Sequence, residues 1–138
     1  MTPMEKALVR SSWAIMHDRV DAMAVLFYQR LFTVQPTARR LFGSKNMQVQ
    51  AALFGQMLGM FMRSLDGEPG MIEAIQASGR RHVAYGVMHS DYDNVAGALL
   101  WAIERTLGDD FSPEVRDAWA AAYRSLASTM RSVGTSVL

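Results

Sequence analysis

The sequence predicts an all-α protein, and three observations carry that reading. Apolar residues recur at the i, i+3, i+4, i+7 spacing of amphipathic helices and do not alternate as in strands. β-branched residues are scattered instead of forming runs. Helix-start and helix-stop residues divide the chain into blocks of helical length.

The blocks follow in order. Thr2-Pro3-Met4-Glu5 has the form of a capping box with proline at the first helical position, and opens a helix to about His17. A second block spans about Val20 to Val34, after which Pro36 starts a short turn ending near Phe42 and Gly43. A long block from about Asn46 to Leu65 is stopped by Asp66-Gly67-Glu68-Pro69-Gly70. The next runs from Met71 to about Tyr85 and ends at Gly86, where glycine supplies a left-handed cap. Tyr92 to Leu107 follows and is closed by Gly108. Ser112-Pro113-Glu114 then caps a last helix to about Val133.

At 138 residues, half of them hydrophobic, the expectation is one domain over 1–138 with one core. A fifth of the residues are charged and the net charge is +1, so no basic stripe is evident and nucleic acid is not an expected partner. The absence of cysteine excludes disulfides, thiolate metal sites and thiol catalysis. The start, MTPMEKALVRSSW, carries acid and base and has no apolar signal core, and no apolar run approaches the length of a membrane span. A cytoplasmic protein without membrane attachment is therefore expected.

Chemistry is sought where polar side chains fall on apolar faces. In the block Asn46–Leu65, Met47, Phe54, Leu58, Phe61 and Leu65 share an arc, while Gln48, Gln56, Arg63 and Asp66 lie opposite. Gln50 falls inside the apolar arc, where an amide needs a partner or a ligand. In Val20–Val34, Tyr28 shares a face with Ala24, Val25, Leu31 and Phe32; its hydroxyl is either packed on a backbone carbonyl or available to a ligand. His82 lies on the face carrying Met71, Ile72, Ile75 and Ser78, with small Ser78 and Gly79 one turn before it. Alone, it reads either as a histidine satisfied in the core or as a ligand. His17 and His89 sit near helix ends and read as solvated, and no HxxxH or ExxH spacing supports a zinc or di-iron site. One histidine without thiolates suits an iron already held by a macrocycle.

LFYQRLF (26–32), the phenylalanine of ARRLFG (38–43), GRRHVAYGV (79–87), the tyrosine ten residues after His82, and PEVRDAWAAAYRSLA (113–127) together resemble bacterial globins. They are most similar to single-domain haemoglobins related to the globin half of flavohaemoglobins, and the resemblance covers essentially the whole chain. It implies a globin fold, a three-over-three helical sandwich around haem b. It also implies His82 as the proximal iron ligand, Tyr28 as the distal tyrosine, and Phe42 as the phenylalanine packed on the haem face. Matching ALF to ALF in related sequences puts Val49 and Leu53 at the two distal positions of the long helix. Counting back from His82 without a gap puts Gln50 and Phe54 there, and the helical wheel favours Gln50. Phe54, Val95 and Leu99 are expected as apolar pocket walls, and Arg80 and Arg81 as partners of the haem propionates. Tyr85, Val87 and Tyr92 complete the expected cofactor contacts.

The functional expectation is a haem protein that reversibly binds O2, and also CO and NO, with sulfide or anions as ferric ligands. A Tyr/Gln distal pocket would slow release, suiting oxygen transport or storage. The alternatives are NO dioxygenation served by a separate flavin reductase, and a haem-based sensor or haem-free globin. Two departures from the flavohaemoglobin pattern bear on the choice. Tyr92 matches the tyrosine behind the proximal histidine, but the last helix after Trp119 contains no carboxylate to match the glutamate beside it. The resemblance therefore does not extend to a strong electron push on the iron. No flavin or nicotinamide segment is expected within the chain, and a monomer or weak homodimer is anticipated.

Overall fold

The computed structural model describes residues 1–39, 46–84 and 91–137, with the side chains of 79–84, 91–92 and 131–137 left out. Helix α1 spans Pro3–Met16. Its start is the expected capping box: Glu5 N donates to Thr2 Oγ1 at 3.1 Å, and Thr2 N donates to Glu5 Oε1 at 2.7 Å. The bond from the Thr2 backbone holds the Glu5 carboxyl below the ordinary carboxylate range. A single 3-10 turn, His17–Arg19, redirects the chain into α2, Val20–Val34. His17 is exposed, with Nδ1 3.1 Å from the Ala14 carbonyl.

After the 3-10 turn Pro36–Ala38, helix α3 runs Met47–Leu65 and is capped by Asn46, whose Oδ1 accepts from Gln48 N at 2.7 Å. Its C-terminal end is held from outside. Arg10 of α1 donates to the Leu65 carbonyl at 2.9 Å and to Asp66 Oδ1 at 3.0 Å, placing a cation where the helix carbonyls end. Gly67 and Gly70 take φ of +78° and +86°, a region open to glycine, and reverse the chain into α4, Met71–Ala84. Helix α5 spans Asp91–Leu107, and Gly108–Asp110 adds a 3-10 turn beyond the expected stop. Ser112 Oγ accepts from Val115 N at 3.1 Å to open α6, Pro113–Val137, which continues four residues past the expected end. Among the described residues there is no strand, and no helix is long and apolar enough to cross a membrane.

Helix α6 packs against α1, α4 and α5, while α2 lies between α3 and α5, and α3 against α4. One core cluster joins them, with Val9, Met16, Met23, Leu31, Ile103 and Trp119 as its most deeply buried large side chains. Trp119 donates Nε1–H to Ser12 Oγ at 2.8 Å, and Ser12 lies 2.7 Å from the Leu8 carbonyl, so the indole is satisfied within the α1–α6 contact.

Three expected core positions are corrected. Val25 is 40 % exposed, because α2 is gripped from two sides and its buried stripe centres on Met23, Ala24, Phe27, Tyr28 and Leu31. Ile72 is 55 % exposed, since α4 turns Ile75 and Ser78 inward and leaves its first turn at the rim. Met47, at the first position of α3, is exposed for the same reason. Apolar spacing shows which way a helix faces; it does not show how far its neighbours extend along it.

Candidate functional site

Two polar side chains on apolar helix faces come to lie in the core. Helix α2 carries Tyr28, only 6 % exposed, into an aromatic wall. Its ring centroid lies 4.9 Å from Phe27, 6.1 Å from Phe32 and 6.2 Å from Phe54, with edge-on geometry toward Phe27 and Phe54. Burial pushes the phenol up from 10.0 to about 12, so its oxygen keeps its proton and remains a donor at neutral pH. Phe27, which sequence reasoning did not single out, also stacks on Phe54 at 4.9 Å and links α2 to α3. Its signal was present in the spacing from Ala24 and to Leu31.

Helix α3 carries Gln50, 4 % exposed, onto the same side of the helix as Ala51, Phe54, Leu58 and Phe61. Among the described residues its side-chain Nε2 is buried without a hydrogen-bond partner. A donor left in that state costs about 1–3 kcal/mol, so a sequence that keeps it has a reason beyond packing. The competing register fares differently: Val49 is 53 % exposed and Leu53 47 % exposed, both turned to the outside of α3. α2 and α3 approach closely at Gly55, where a Cβ would already stand 3.4 Å from Val20 Cγ1.

On α5, Leu99 is buried and Val95 half-buried, one turn apart, and both belong to the apolar cluster that includes Tyr28 and Phe54. Beside Tyr28, a cavity of about 360 Å³ opens between α2 and the start of α3, bounded by Val25, Phe32, Met47 and Arg39. The Arg39 guanidinium lies 4.7 Å from the Phe32 ring centroid at its edge. Phe42, Tyr85, Val87 and His89 lie outside the described residues. Arg80, Arg81 and His82 belong to α4 and Tyr92 to α5, but their side chains also lie outside the description. Along α4, position 82 follows buried Ile75 by seven residues and buried Ser78 by four. Among the described residues no group of three carboxylate or imidazole side chains could hold a metal ion.

The donors present are therefore a protonated phenol and an uncommitted amide N–H, set among phenylalanines and aliphatic side chains. Tyr28 lines the cavity and Gln50 does not; both are donors of the kind that suits a small acceptor molecule such as a haem-bound ligand. Residues 25–130 match the globin family. The chain is a globin. Its all-α architecture is the globin fold, and the cofactor of that family is haem b. Over 132 residues, covering 94 % of this globin, it is 30 % identical to a flavohemoprotein of Deinococcus radiodurans. It is 27 % identical over the same coverage to a flavohemoprotein of Bordetella pertussis. This globin spans about a third of the length of those relatives, 33 % in each case. It is also 23 % identical to an anaerobic nitrite reductase of Gossypium hirsutum, with 88 % of that protein's length covered.

Proposed function

We propose that this globin binds O2, and likewise CO and NO, at haem held through His82, with Tyr28 and Gln50 as donors to the ligand. The observation that carries the reading is Gln50: a buried amide N–H without a partner among the described residues, on the inward face of α3. Haem, when bound, supplies a ferrous iron able to take up a diatomic ligand.

The protein's part is to hold, orient and shield. His82 would hold the iron as a neutral imidazole base, its second nitrogen orienting the ring, and Tyr92 would support it. By the resemblance, Phe42, Tyr85 and Val87 would supply apolar contacts to the macrocycle, and Arg80 and Arg81 would pair with its propionates. The Tyr28 hydroxyl, kept protonated by burial, and the Gln50 Nε2–H would serve as donors to a bound ligand. Each bond is worth about 0.5–1.5 kcal/mol, so both together slow ligand escape by roughly a factor of 5 to 150. Phe54, Val95 and Leu99 supply apolar walls that exclude water. Slow release of this kind suits storage or scavenging of a gas in a cytoplasmic protein.

A second reading rests on the relatives. Flavohemoproteins are three times the length of the matched region, and the plant relatives are named for nitrite reduction. With a separate flavin reductase to supply electrons, the same pocket would serve NO dioxygenation or nitrite reduction. Absorption spectra of the purified protein in ferric, ferrous, oxygenated and CO-bound states test the first reading. A Soret band that His82→Ala abolishes or shifts is expected. Its absence after haem addition would leave a haem-free globin. Mixing the oxygenated protein with NO, with and without a flavin reductase, separates binding from turnover.

A further inference from the structure

The α2–α5 face, away from the proposed ligand pocket, carries an arrangement that neither the core nor the pocket uses. Trp101 of α5 is half-buried, and two guanidinium groups stack on it. Arg105 Cζ stands 3.8 Å from the indole centroid and Arg30 Cζ, from α2, 5.4 Å away. Arg30 makes no ion pair among the described residues, and Arg105 has only Glu104, at 3.6 Å, with both side chains about half exposed. Exposed Val34 lies one turn beyond Arg30 on α2. Beside it Asn94 Nδ2 donates to Gln35 Oε1 at 2.6 Å and ties the end of α2 to the start of α5. A seam of arginine and tryptophan held rigid in this way has the composition of an interface centre. Stacked guanidinium groups are weakly hydrated, so covering them costs less than covering lysines.

Immediately along the chain lies the opposite charge. Asp109, Asp110, Glu114 and Asp117 are all exposed, and none is in an ion pair among the described residues; Arg116 is the cation beside them. Arg105 precedes Asp109 by four residues, so the basic seam and the acidic corner are neighbours. A surface whose positive and negative halves lie side by side is self-complementary about a two-fold axis: each copy offers both halves, and two equivalent contacts form at once. We propose that a second copy of this chain docks on the α2–α5 face, the Arg30–Trp101–Arg105 seam of one copy meeting the Asp109–Asp117 corner of the other. The contact does not depend on haem.

Sedimentation velocity from micromolar to millimolar protein, at ionic strengths of about 0.01 M and about 1 M, tests this. A dimer is expected at low salt, weakening as salt rises. Arg105→Glu and Asp110→Arg should each weaken it roughly tenfold or more, because each sets like charges against one another. Trp101→Ala should weaken it without the steep salt dependence. The decisive sample is an equimolar mixture of the two charge-reversed variants. One of its two contacts then pairs the introduced charges in opposite sense and the other retains the native pairing, so a heterodimer should return. Circular dichroism of each variant checks that the helices are intact. A protein that stays monomeric at millimolar concentration and low salt overturns the proposal, as does a dimer indifferent to both reversals or a mixture that fails to associate.

Discussion

Replacing Gln50 by leucine separates a residue kept for packing from one kept for a ligand. In the protein the amide is 4 % exposed and its Nε2 has no partner among the described residues, so its N–H is dehydrated without return. Leucine has similar bulk and no polar atom. Removing a buried unsatisfied donor recovers about 1–3 kcal/mol, and the added apolar contact works in the same direction. The ligand-free protein should therefore become more stable by about that amount, read as a higher denaturant midpoint with unchanged m-value. The same change deletes one bond to the ligand, worth about 0.5–1.5 kcal/mol, which should raise the O2 dissociation rate by roughly 2- to 13-fold. The assays are guanidinium unfolding of the ligand-free protein and stopped-flow displacement of O2 by CO. Stability rising while ligand retention falls is the pattern of a residue whose cost is borne for function. A Gln50→Leu protein that is less stable by 1 kcal/mol or more would show that the amide is already satisfied. An unchanged dissociation rate would remove Gln50 from the ligand site even if stability rose.

The other predictions concern Tyr28 and Trp119. Tyr28→Phe keeps the ring against Phe27 and Phe54 but loses the donor, so O2 dissociation should rise by roughly 2- to 13-fold; an unaltered rate would take Tyr28 out of the site. The same phenol contributes to alkaline stability. Its pKa is about 12 in the fold against an ordinary 10.0, so its contribution is fully present below pH 10 and is lost as pH rises toward 12. The loss amounts to roughly 2–3 kcal/mol, and a pH series of unfolding midpoints should show it in the native protein and not in Tyr28→Phe. Trp119→Ala should cost about 3–5 kcal/mol, because it empties a fully buried site and strips Ser12 of its donor; denaturant unfolding measures this.

Much of the fold was legible because local chemistry sets helix ends. Thr2, Pro3 and Glu5 satisfy one another's backbone groups within a single turn, so the start of α1 is readable without any knowledge of the rest. Asn46, Gly67, Gly70 and Ser112 act over equally short distances. The inward direction of Gln50 and Tyr28 followed from spacing along one helix. What each meets there did not: Phe54 reaches Tyr28 and its neighbour Phe27 from α3, and only the α2–α3 crossing brings it there. The errors share a cause. Val25, Met47 and Ile72 have core-like identities at helix positions that no neighbouring helix among the described residues covers.

The sequence by itself determined the capped helix starts, the all-α class and which polar residues stand on apolar faces, since all three depend on interactions within about four residues. The tertiary structure alone decided three further matters. It brought Phe54 of α3 against Tyr28 of α2, left the Gln50 amide without a partner among the described residues, and put Ser12 beneath Trp119 across 107 positions of chain. A hydrogen bond or its absence in the core depends on how whole helices cross, and no local spacing encodes that crossing.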